Sequence, residues 1–384
     1  MRALIIDAGL DRGSLAAARA LADDGWTVGA GSPAPGLTAW SRRVGAHHLV
    51  PDPADGAQAL IEGAARAVAE GRYEVIFSSD DEGVLLLSEH RDALGAAVGY
   101  ADHSVVARAF DKLELTRAAE AAGLGVPRTE PATEQALASW RGPAVVKPRL
   151  TFAAGSSGRL NTQVLANAGA ARERVDEIRV AGGEPLLQEV IHGQLTAQTI
   201  LADRDTRVIA RVQQRAVLTW PPEVGVSARA VTVEPDRDLS EGIDRMISSL
   251  GWFGLAQLQF LLGPDGQPRL LDFNGRFYGS LALASAAGLN LPAAWARLAT
   301  GRPVPEIPRA VVGRRYQWLS RDLRAARARH GESTKWPIVD SLRHAPGATH
   351  SVWRLDDPWP AIRHYGGGLL EEARGWARPS SSTH

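Results

Sequence analysis

The chain contains no cysteine and only three lysines among its 384 residues. The absence of cysteine excludes disulfides, thiolate nucleophiles and every metal site that uses a thiolate ligand. Equal numbers of basic and acidic residues, 43 of each, provide no electrostatic footprint for nucleic acid or an anionic membrane. No apolar run reaches about 18 residues and no signal-peptide pattern opens the chain. We therefore expect a cytoplasmic protein without nucleic-acid or membrane partners.

The scarcity of lysine draws attention to the few lysines that are present. Forty of the 43 basic residues are arginine, so arginine serves almost everywhere that a surface cation would suffice. A compact ammonium on a flexible stem suits a crowded phosphate better than a planar guanidinium does. Lys112 and Lys147 are therefore candidates for phosphate binding, with an ordinary surface position as the alternative.

Strand-like and helical segments alternate over the first hundred residues, in the order 3–7, 14–24, 26–30, 57–70 and 73–78. This alternation predicts a parallel sheet built from β-α-β units. The segment Ser79-Asp80-Asp81-Glu82 follows a strand at the carboxyl end of that sheet, where ligands usually bind. It is a candidate for binding an amine, and a helix N-cap is an equally good interpretation.

Four short motifs follow in a fixed order: Asp111-Lys112, Val145–Pro148 with the loop Gly155–Gly158, Gln188–Gly193, and Leu271–Arg276. Together they resemble the ATP-grasp superfamily of carboxylate–amine ligases, most closely its branch of carbamoyl-phosphate synthase and D-alanine–D-alanine ligase. The resemblance covers about residues 1–305. It implies an α/β fold in which an N-terminal parallel α/β domain (1–103) precedes a two-lobed ATP-grasp domain (104–305). Residues 306–384 are expected to form a small C-terminal subdomain with a disordered tail.

The resemblance implies an ATP site. Lys112 and Lys147 match two positions at which the family uses lysine against ATP. The small side chains of Gly155, Ser156, Ser157 and Gly158 would let backbone N–H groups wrap phosphate oxygens, unless this is an ordinary flexible loop. The segment Gln188, Glu189, Val190 and Ile191 matches the hinge that reads the adenine edge, with a buried strand end as the alternative.

Further contacts to the nucleotide are less clearly marked in the sequence. The acidic residue that usually binds the ribose after the hinge is absent, so Gln194 or Gln198 would have to hold the hydroxyls. Arg215 and Arg229 flank a Trp220-Pro221-Pro222 segment and are candidates for binding phosphate or carboxylate.

A magnesium site is predicted on two neighbouring strands. Asp272 and Asn274 are two residues apart on a strand and so point to one face, and Gln259 on the partner strand can join them. Mg²⁺ prefers hard oxygen ligands and usually takes one or two carboxylates together with substrate phosphates. The family places Glu at the positions of Gln259 and Asp272. The departure implies weaker binding of metal, or one Mg²⁺ rather than two.

Arg276 lies two residues past Asn274, where the family places the arginine that steadies the transferred phosphoryl group. The resemblance thus implies an enzyme that activates a carboxylate with Mg²⁺ and ATP and joins it to an amine, with Lys147 and Arg276 as catalytic residues. Amino acids or small peptides are the expected substrates, the pathway being peptide or metabolite biosynthesis, and a homodimer is typical of such ligases. A carboxylase or carbamoyl-phosphate-type enzyme, and a non-catalytic nucleotide-binding protein, stay open as alternatives.

Overall fold

A computed structural model describes residues 1–7, 9–151, 160–222, 225–330 and 335–366 of the chain. The N-terminal part is a five-stranded parallel sheet in the order β3-β2-β1-β4-β5, which confirms the prediction from alternation. Its elements are β1 (Arg2–Ile6), α1 (Arg12–Asp23), β2 (Thr27–Ser32), β3 (Val44–Leu49), α2 (Ala57–Gly71), β4 (Val75–Ser78), α3 (Asp81–Glu89) and β5 (Ala97–Val98).

A smaller sheet follows, with the strand order β6-β9-β7-β8. Its region comprises α4 (His103–Phe110), α5 (Lys112–Ala121), β6 (Thr129–Pro131), α6 (Glu134–Ser139), β7 (Ala144–Pro148), β8 (Gln163–Leu165), α7 (Ala168–Val180) and β9 (Pro185–Gln188). This sheet has a core of its own, in which Trp140, Val146 and Val175 are buried. It forms the smaller of the two lobes that the resemblance implies.

The larger lobe is built on a seven-stranded sheet in the order β14-β13-β10-β11-β12-β15-β16. Its elements are β10 (Gln194–Ala202), β11 (Val208–Trp220), β12 (Val226–Val233), α8 (Arg237–Leu250), β13 (Gly254–Leu262), β14 (Pro268–Asn274), α9 (Leu281–Ala286), α10 (Leu291–Ala299), β15 (Arg315–Gln317), α11 (Leu319–His330), α12 (Lys335–His344) and β16 (Ala348–His350). Because β15 pairs with β12, the C-terminal region extends this sheet instead of forming a separate one.

Aspartates begin three of the helices near the predicted site. The side chain of Asp11 accepts a hydrogen bond from the Ser14 N–H at the start of α1, and Asp80 accepts one from Gly83 at the start of α3. The side chain of Asp111 likewise accepts hydrogen bonds from backbone N–H groups at the start of α5. A carboxylate at this position satisfies unpaired N–H groups and complements the positive end of the helix dipole.

An aromatic cluster joins the N-terminal domain to the large lobe. The ring centroids of Phe77 and Trp295 are 4.6 Å apart, and Phe277 lies 5.3 Å from Trp295. The indole N–H of Trp295 also donates to the carbonyl of Gly99 over 2.6 Å. Phe277 lies in the segment directly after β14, so this packing fixes the chain next to Arg276.

Among the described residues, no helix has both the length and the apolar character needed to span a membrane.

The C-terminal region is tied to the N-terminal domain by a buried ion pair. Arg19 on α1 donates through Nε to Asp357 over 2.8 Å, and both side chains are buried. The same carboxylate accepts hydrogen bonds from Ser41 Oγ and from the backbone N–H of Arg42. The oxygens of Asp357 are therefore occupied by these three structural contacts.

Candidate active site

Lys147 and Lys112 come together at the edge of the small lobe. The side chain of Lys147 is almost fully buried at the end of β7. Burial, followed by repulsion from Lys112, lowers the pKa of Lys147 to about 8, and attraction by Asp272 partly opposes this change. Lys147 therefore lies within electrostatic range of a cation on its own lobe and of a carboxylate on the large lobe.

The start of α5 fixes Lys112 beside β7. Its backbone N–H donates to the carbonyl of Arg149 over 3.0 Å, and its Nζ donates to Thr151 Oγ1 over 3.1 Å. Arg149 in turn pairs with the cap residue Asp111 over 2.7 Å. The loop Gly155, Ser156, Ser157 and Gly158, predicted to wrap the phosphates, lies outside the described residues.

The register of β13 and β14 places the predicted metal ligands on one face. Gln259 lies opposite Asp272, and Gln257 lies opposite Asn274. Directly opposed residues in an antiparallel pair project to the same side of the sheet, so all four share a face. Gln259 and Asp272 are half-buried, whereas Asn274 is buried.

A chain of hydrogen bonds orients the amides on this face. Gln259 Nε2 donates to Gln257 Oε1 over 3.2 Å, and Gln257 Nε2 donates to Ser280 Oγ over 3.3 Å. Ser280 Oγ donates onward to Gln214 Oε1 over 3.1 Å. Gln259 uses its nitrogen in this chain, so the bond does not consume the oxygen that a cation requires. Sequence reasoning missed Gln214 and Ser280, for which only the three-dimensional pairing gives a signal.

The donor set on this face fits one magnesium ion that is shared with phosphates. It offers a single carboxylate, Asp272, and the amide oxygens of Asn274 and Gln259, all of which are hard donors. Within the described part of the chain, no group of three or more His, Cys, Asp or Glu residues is arranged to hold a metal ion. A cation here would take its other ligands from water and from a bound phosphate chain.

Arg276 is held by the N-terminal domain. Its Nε donates to Asp81 Oδ1 over 2.6 Å, and both side chains are largely buried. Burial alone would lower the pKa of Arg276, but the negative charges of Asp81 and Asp11 outweigh burial and raise it. The guanidinium therefore stays charged. Of the two interpretations of residues 79–82, the helix cap is the one observed at Asp80.

The predicted hinge is only partly a strand. The strand β9 ends at Gln188, so the remaining residues of the predicted hinge lie beyond the strand. Gln188 is buried and donates from Nε2 to Thr129 Oγ1 over 2.8 Å, which makes its side chain structural. Val190 and Ile191 are half-buried beyond the strand end, so their apolar surface is accessible to a flat ring, while Glu189 is exposed.

The two glutamines considered for the ribose lie in different environments. Gln194 is exposed at the start of β10, where its Nε2 donates to the carbonyl of Ala216 over 3.3 Å. Gln198 is fully buried and bonded to Gln213, Ser240 and Arg211. Because it lies opposite Leu258, Gln198 projects from the face away from Gln257. Gln198 therefore makes structural contacts, and Gln194 stays the predicted residue for the ribose.

Arg215 and Arg229 were predicted to bind an anion. Neither side chain lies on the sheet face that carries the hydrogen-bonded glutamines Gln257 and Gln259. Arg215 follows Gln214 on β11, so alternation sends its exposed side chain to the opposite side. Arg229 projects from that opposite side of β12 and pairs with Asp322 over 2.7 Å and with Asp340 over 3.0 Å. These ion pairs hold the α11–α12 region against the sheet and occupy the guanidinium that was a candidate for an anionic ligand.

Residues 185–321 match the family model described as "ATP-grasp in the biosynthetic pathway with Ter operon". No curated protein matches the chain. Among solved structures, the L-amino acid ligase from Bacillus licheniformis superposes with a TM-score of 0.61 at 13% identity, covering 78% of this chain and 74% of that one.

Two further structures have the same architecture. The N5-carboxyaminoimidazole synthetase from Staphylococcus aureus, complexed with ADP, gives a TM-score of 0.60 at 13% identity over 79% of this chain and 78% of that one. The biotin carboxylase domain of the Hydrogenobacter thermophilus 2-oxoglutarate carboxylase was solved in complex with MgADP and bicarbonate. It gives a TM-score of 0.63 at 13% identity, over 81% of this chain and 73% of that one. At such identities these likenesses show the fold.

Proposed function

We propose that this protein, which has the ATP-grasp fold, is an ATP-dependent ligase that joins a carboxylate to an amine through an acyl phosphate. The observation that carries the proposal is the buried ammonium of Lys147, which lies within electrostatic range of Lys112 on its own lobe and of Asp272 on the large lobe. A buried ammonium beside a second cation is unfavourable in the free protein, and a polyphosphate would relieve that cost. The family match and the ADP-bound relatives support ATP and Mg²⁺ as its cofactors.

The reaction would proceed in two displacements. A carboxylate oxygen of the substrate attacks the γ-phosphorus of ATP, and ADP leaves. The amine nitrogen then attacks the acyl carbon, the amine loses a proton and phosphate leaves. Lys147 and Lys112 would neutralise the phosphate oxygens, while Arg276, held by Asp81, would stabilise charge on the transferred group.

Magnesium would be held by Asp272, Asn274 and Gln259 and would supply charge neutralisation at the phosphates. The residues of the chain orient the reactants around it, and the chain of amide hydrogen bonds keeps Gln259 in a single orientation. We propose amino acids or small peptides as substrates, supported by the similarity in fold to an L-amino acid ligase. A homodimer in the cytoplasm is part of the same proposal, and light scattering would test the oligomeric state.

The thermal shift caused by Mg²⁺ and ATP tests the nucleotide site. A ligand at 100 times its Kd stabilises a folded protein by about 2.7 kcal/mol, which is a shift of a few degrees. We expect this shift in the wild type, its loss in Lys147→Met, and its retention in Arg66→Met, which alters an exposed residue on α2. An equal shift in Lys147→Met would contradict the role of Lys147. Release of ADP with pools of carboxylates and amines then tests the reaction.

Two observations favour second candidates. Two structural relatives are a carboxylase domain and a carboxyaminoimidazole synthetase, so an ADP release that requires bicarbonate would favour a carboxylation-type reaction. Gln259 stands where a carboxylate would strengthen metal binding. Tight ATP binding without turnover, under every substrate pool, would favour a non-catalytic nucleotide-binding protein.

A further inference from the structure

Two arginines flank the indole ring of Trp318 at the junction of the N-terminal domain and the large sheet. The guanidinium carbon of Arg12, in the first turn of α1, lies 3.3 Å from the ring centroid. That of Arg321, in the first turn of α11, lies 5.0 Å from the same ring. The electron-rich face of the ring attracts both cations.

This arginine cluster, formed by Arg12, Trp318 and Arg321, differs from three other arginines of the interior in having no ion pair among the described residues. Arg19, Arg229 and Arg276 each pair with an aspartate. Within the described part of the chain, no carboxylate lies within 4.0 Å of either guanidinium of the cluster. Asp11 precedes Arg12, but its carboxylate accepts from Ser14 at the helix N-cap.

The cluster also concentrates like charge. Burial, followed by repulsion from Arg324 and Arg12, lowers the pKa of Arg321. The NH1 group of Arg12 donates to the carbonyl of Gly279 over 3.1 Å and to the Tyr316 hydroxyl over 2.6 Å, both of which are neutral acceptors. No ion pair with a described residue offsets the repulsion at Arg321, and a bound anion would reduce it.

The position of the cluster connects it to the proposed reaction site. Gly279 precedes Ser280, whose hydroxyl belongs to the chain of hydrogen bonds that orients Gln257 and Gln259. The same segment begins with Arg276, three residues before Gly279. The segment from Arg276 to Gly279 therefore links the proposed phosphoryl-binding arginine to a hydrogen-bond partner of Arg12.

We propose that Arg12, Trp318 and Arg321 form a subsite for a second, unreactive anionic group of the substrate, a carboxylate or a phosphate. The inference rests on the proposed function because it assigns one end of the same substrate. A guanidinium offers paired N–H donors that match the two oxygens of either group. The subsite thus selects substrates that carry an acidic group at a distance from the reacting carboxylate.

Binding of small anions to the full chain tests this subsite directly. Isothermal titration would use inorganic phosphate and succinate as probes, with neutral succinamide as the matched control. We expect the wild type to bind at least one anion and not succinamide, and Arg321→Gln to bind it about tenfold more weakly, equivalent to about 1.4 kcal/mol. Arg66→Gln, on the surface of α2, should bind as the wild type does. Arg321→Lys should recover part of the affinity, because the charge returns without the paired donors.

The probe that binds identifies the source of the anion. Binding of phosphate alone supports a phosphorylated substrate, and binding of succinate alone supports a substrate with a second carboxylate. Equal binding by wild type and Arg321→Gln, or no binding of either anion by the wild type, would overturn the subsite. The thermal shift with Mg²⁺ and ATP, measured on Arg321→Gln, should equal that of the wild type. This measurement separates failure of the subsite from failure of the nucleotide site.

Discussion

At the scale of single residues, the candidate active site depends on cationic side chains that the fold has buried at a cost in desolvation free energy. Lys147 is buried beside Lys112, and Arg276 is buried against Asp81. The first cation lacks a paired carboxylate within the described residues, whereas the second has one. A phosphate chain would supply the missing negative charge to Lys147, so its protonation and the binding of ATP should be linked.

The affinity for ATP should therefore depend on pH through Lys147. The pKa of Lys147 is lowered to about 8 in the free protein, so the ammonium loses its proton as the pH rises above that value. Bound phosphates favour the charged form, and binding above pH 8 must take up a proton. We expect the affinity to fall with rising pH, approaching about tenfold per pH unit.

Titration of Mg²⁺ and ATP into the protein at several pH values, in buffers of different ionisation enthalpy, measures both affinity and proton uptake. Lys147→Arg is the matched control, because its guanidinium stays charged throughout this range. A flat profile for the wild type, or the same slope in Lys147→Arg, would contradict the linkage.

Asp81 should act as a positioning residue for Arg276. Asp81→Asn removes the charge that orients the guanidinium across the domain junction. We expect kcat to fall by at least tenfold, about 1.4 kcal/mol, while the thermal shift with Mg²⁺ and ATP stays the same. Asp102→Asn, at an exposed ion pair, should retain both properties. Loss of ATP binding in Asp81→Asn would assign the residue to the nucleotide site instead.

At the scale of elements, the β13–β14 pair determines which side chains can meet a cation. Its register sets Gln259 opposite Asp272 and leaves the face with one carboxylate among three amides. The same alternation turns Gln198 and Arg229 to the opposite face. Alternation along the strands thus decides which polar side chains face the proposed nucleotide site, whatever the residue type.

Replacing Gln259 by glutamate should strengthen magnesium binding. Gln259→Glu adds a second carboxylate opposite Asp272, and cation affinity rises with the charge of the ligand set. We expect the Mg²⁺ concentration needed for half-maximal ADP release to fall by about tenfold. Gln267→Glu, an exposed change in the turn between β13 and β14, should leave it unaltered. An unchanged or weaker Mg²⁺ dependence in Gln259→Glu would argue that the cation lies elsewhere.

At the scale of the whole molecule, contacts distant in sequence hold the N-terminal domain against the large lobe. The aromatic cluster around Trp295 buries the junction on one side, and the ion pair between Arg19 and Asp357 fastens the C-terminal region to α1. The arginine cluster lies where β15 and α11 meet the first turn of α1. The C-terminal region therefore helps to build the proposed substrate subsite.

Arg19→Met should destabilise the protein strongly. It leaves the fully buried Asp357 without its cation, and breaking a buried pair in this way costs about 3–5 kcal/mol. Arg354→Met, which removes a partly exposed pair with Asp23, should cost less than about 1 kcal/mol. Thermal melting of the two variants, in the absence of nucleotide, measures the difference. Equal melting temperatures would show that the Arg19–Asp357 pair contributes little.

The sequence alone determined the local architecture. Alternation of apolar residues predicted the strands and helices of the N-terminal sheet, and the spacing of Asp272 and Asn274 predicted their common face. The ordered motifs also predicted the ATP-grasp fold. Strand β9 ends at Gln188, the first residue of the segment predicted as the hinge. The positions of helices and strands, and the faces on which their side chains lie, follow from short-range sterics and the fixed periods of helix and strand.

Only the tertiary structure decided which of the candidate side chains meet. It paired Arg276 with Asp81, which are 195 residues apart, and it placed Arg12 on Trp318. It also committed Arg229 to Asp322 and buried Gln198 under α8. No local pattern encodes these contacts, because they depend on sheet register and on the packing of whole elements. Forty arginines look alike in the sequence, and only packing determines which of them have a carboxylate beside them.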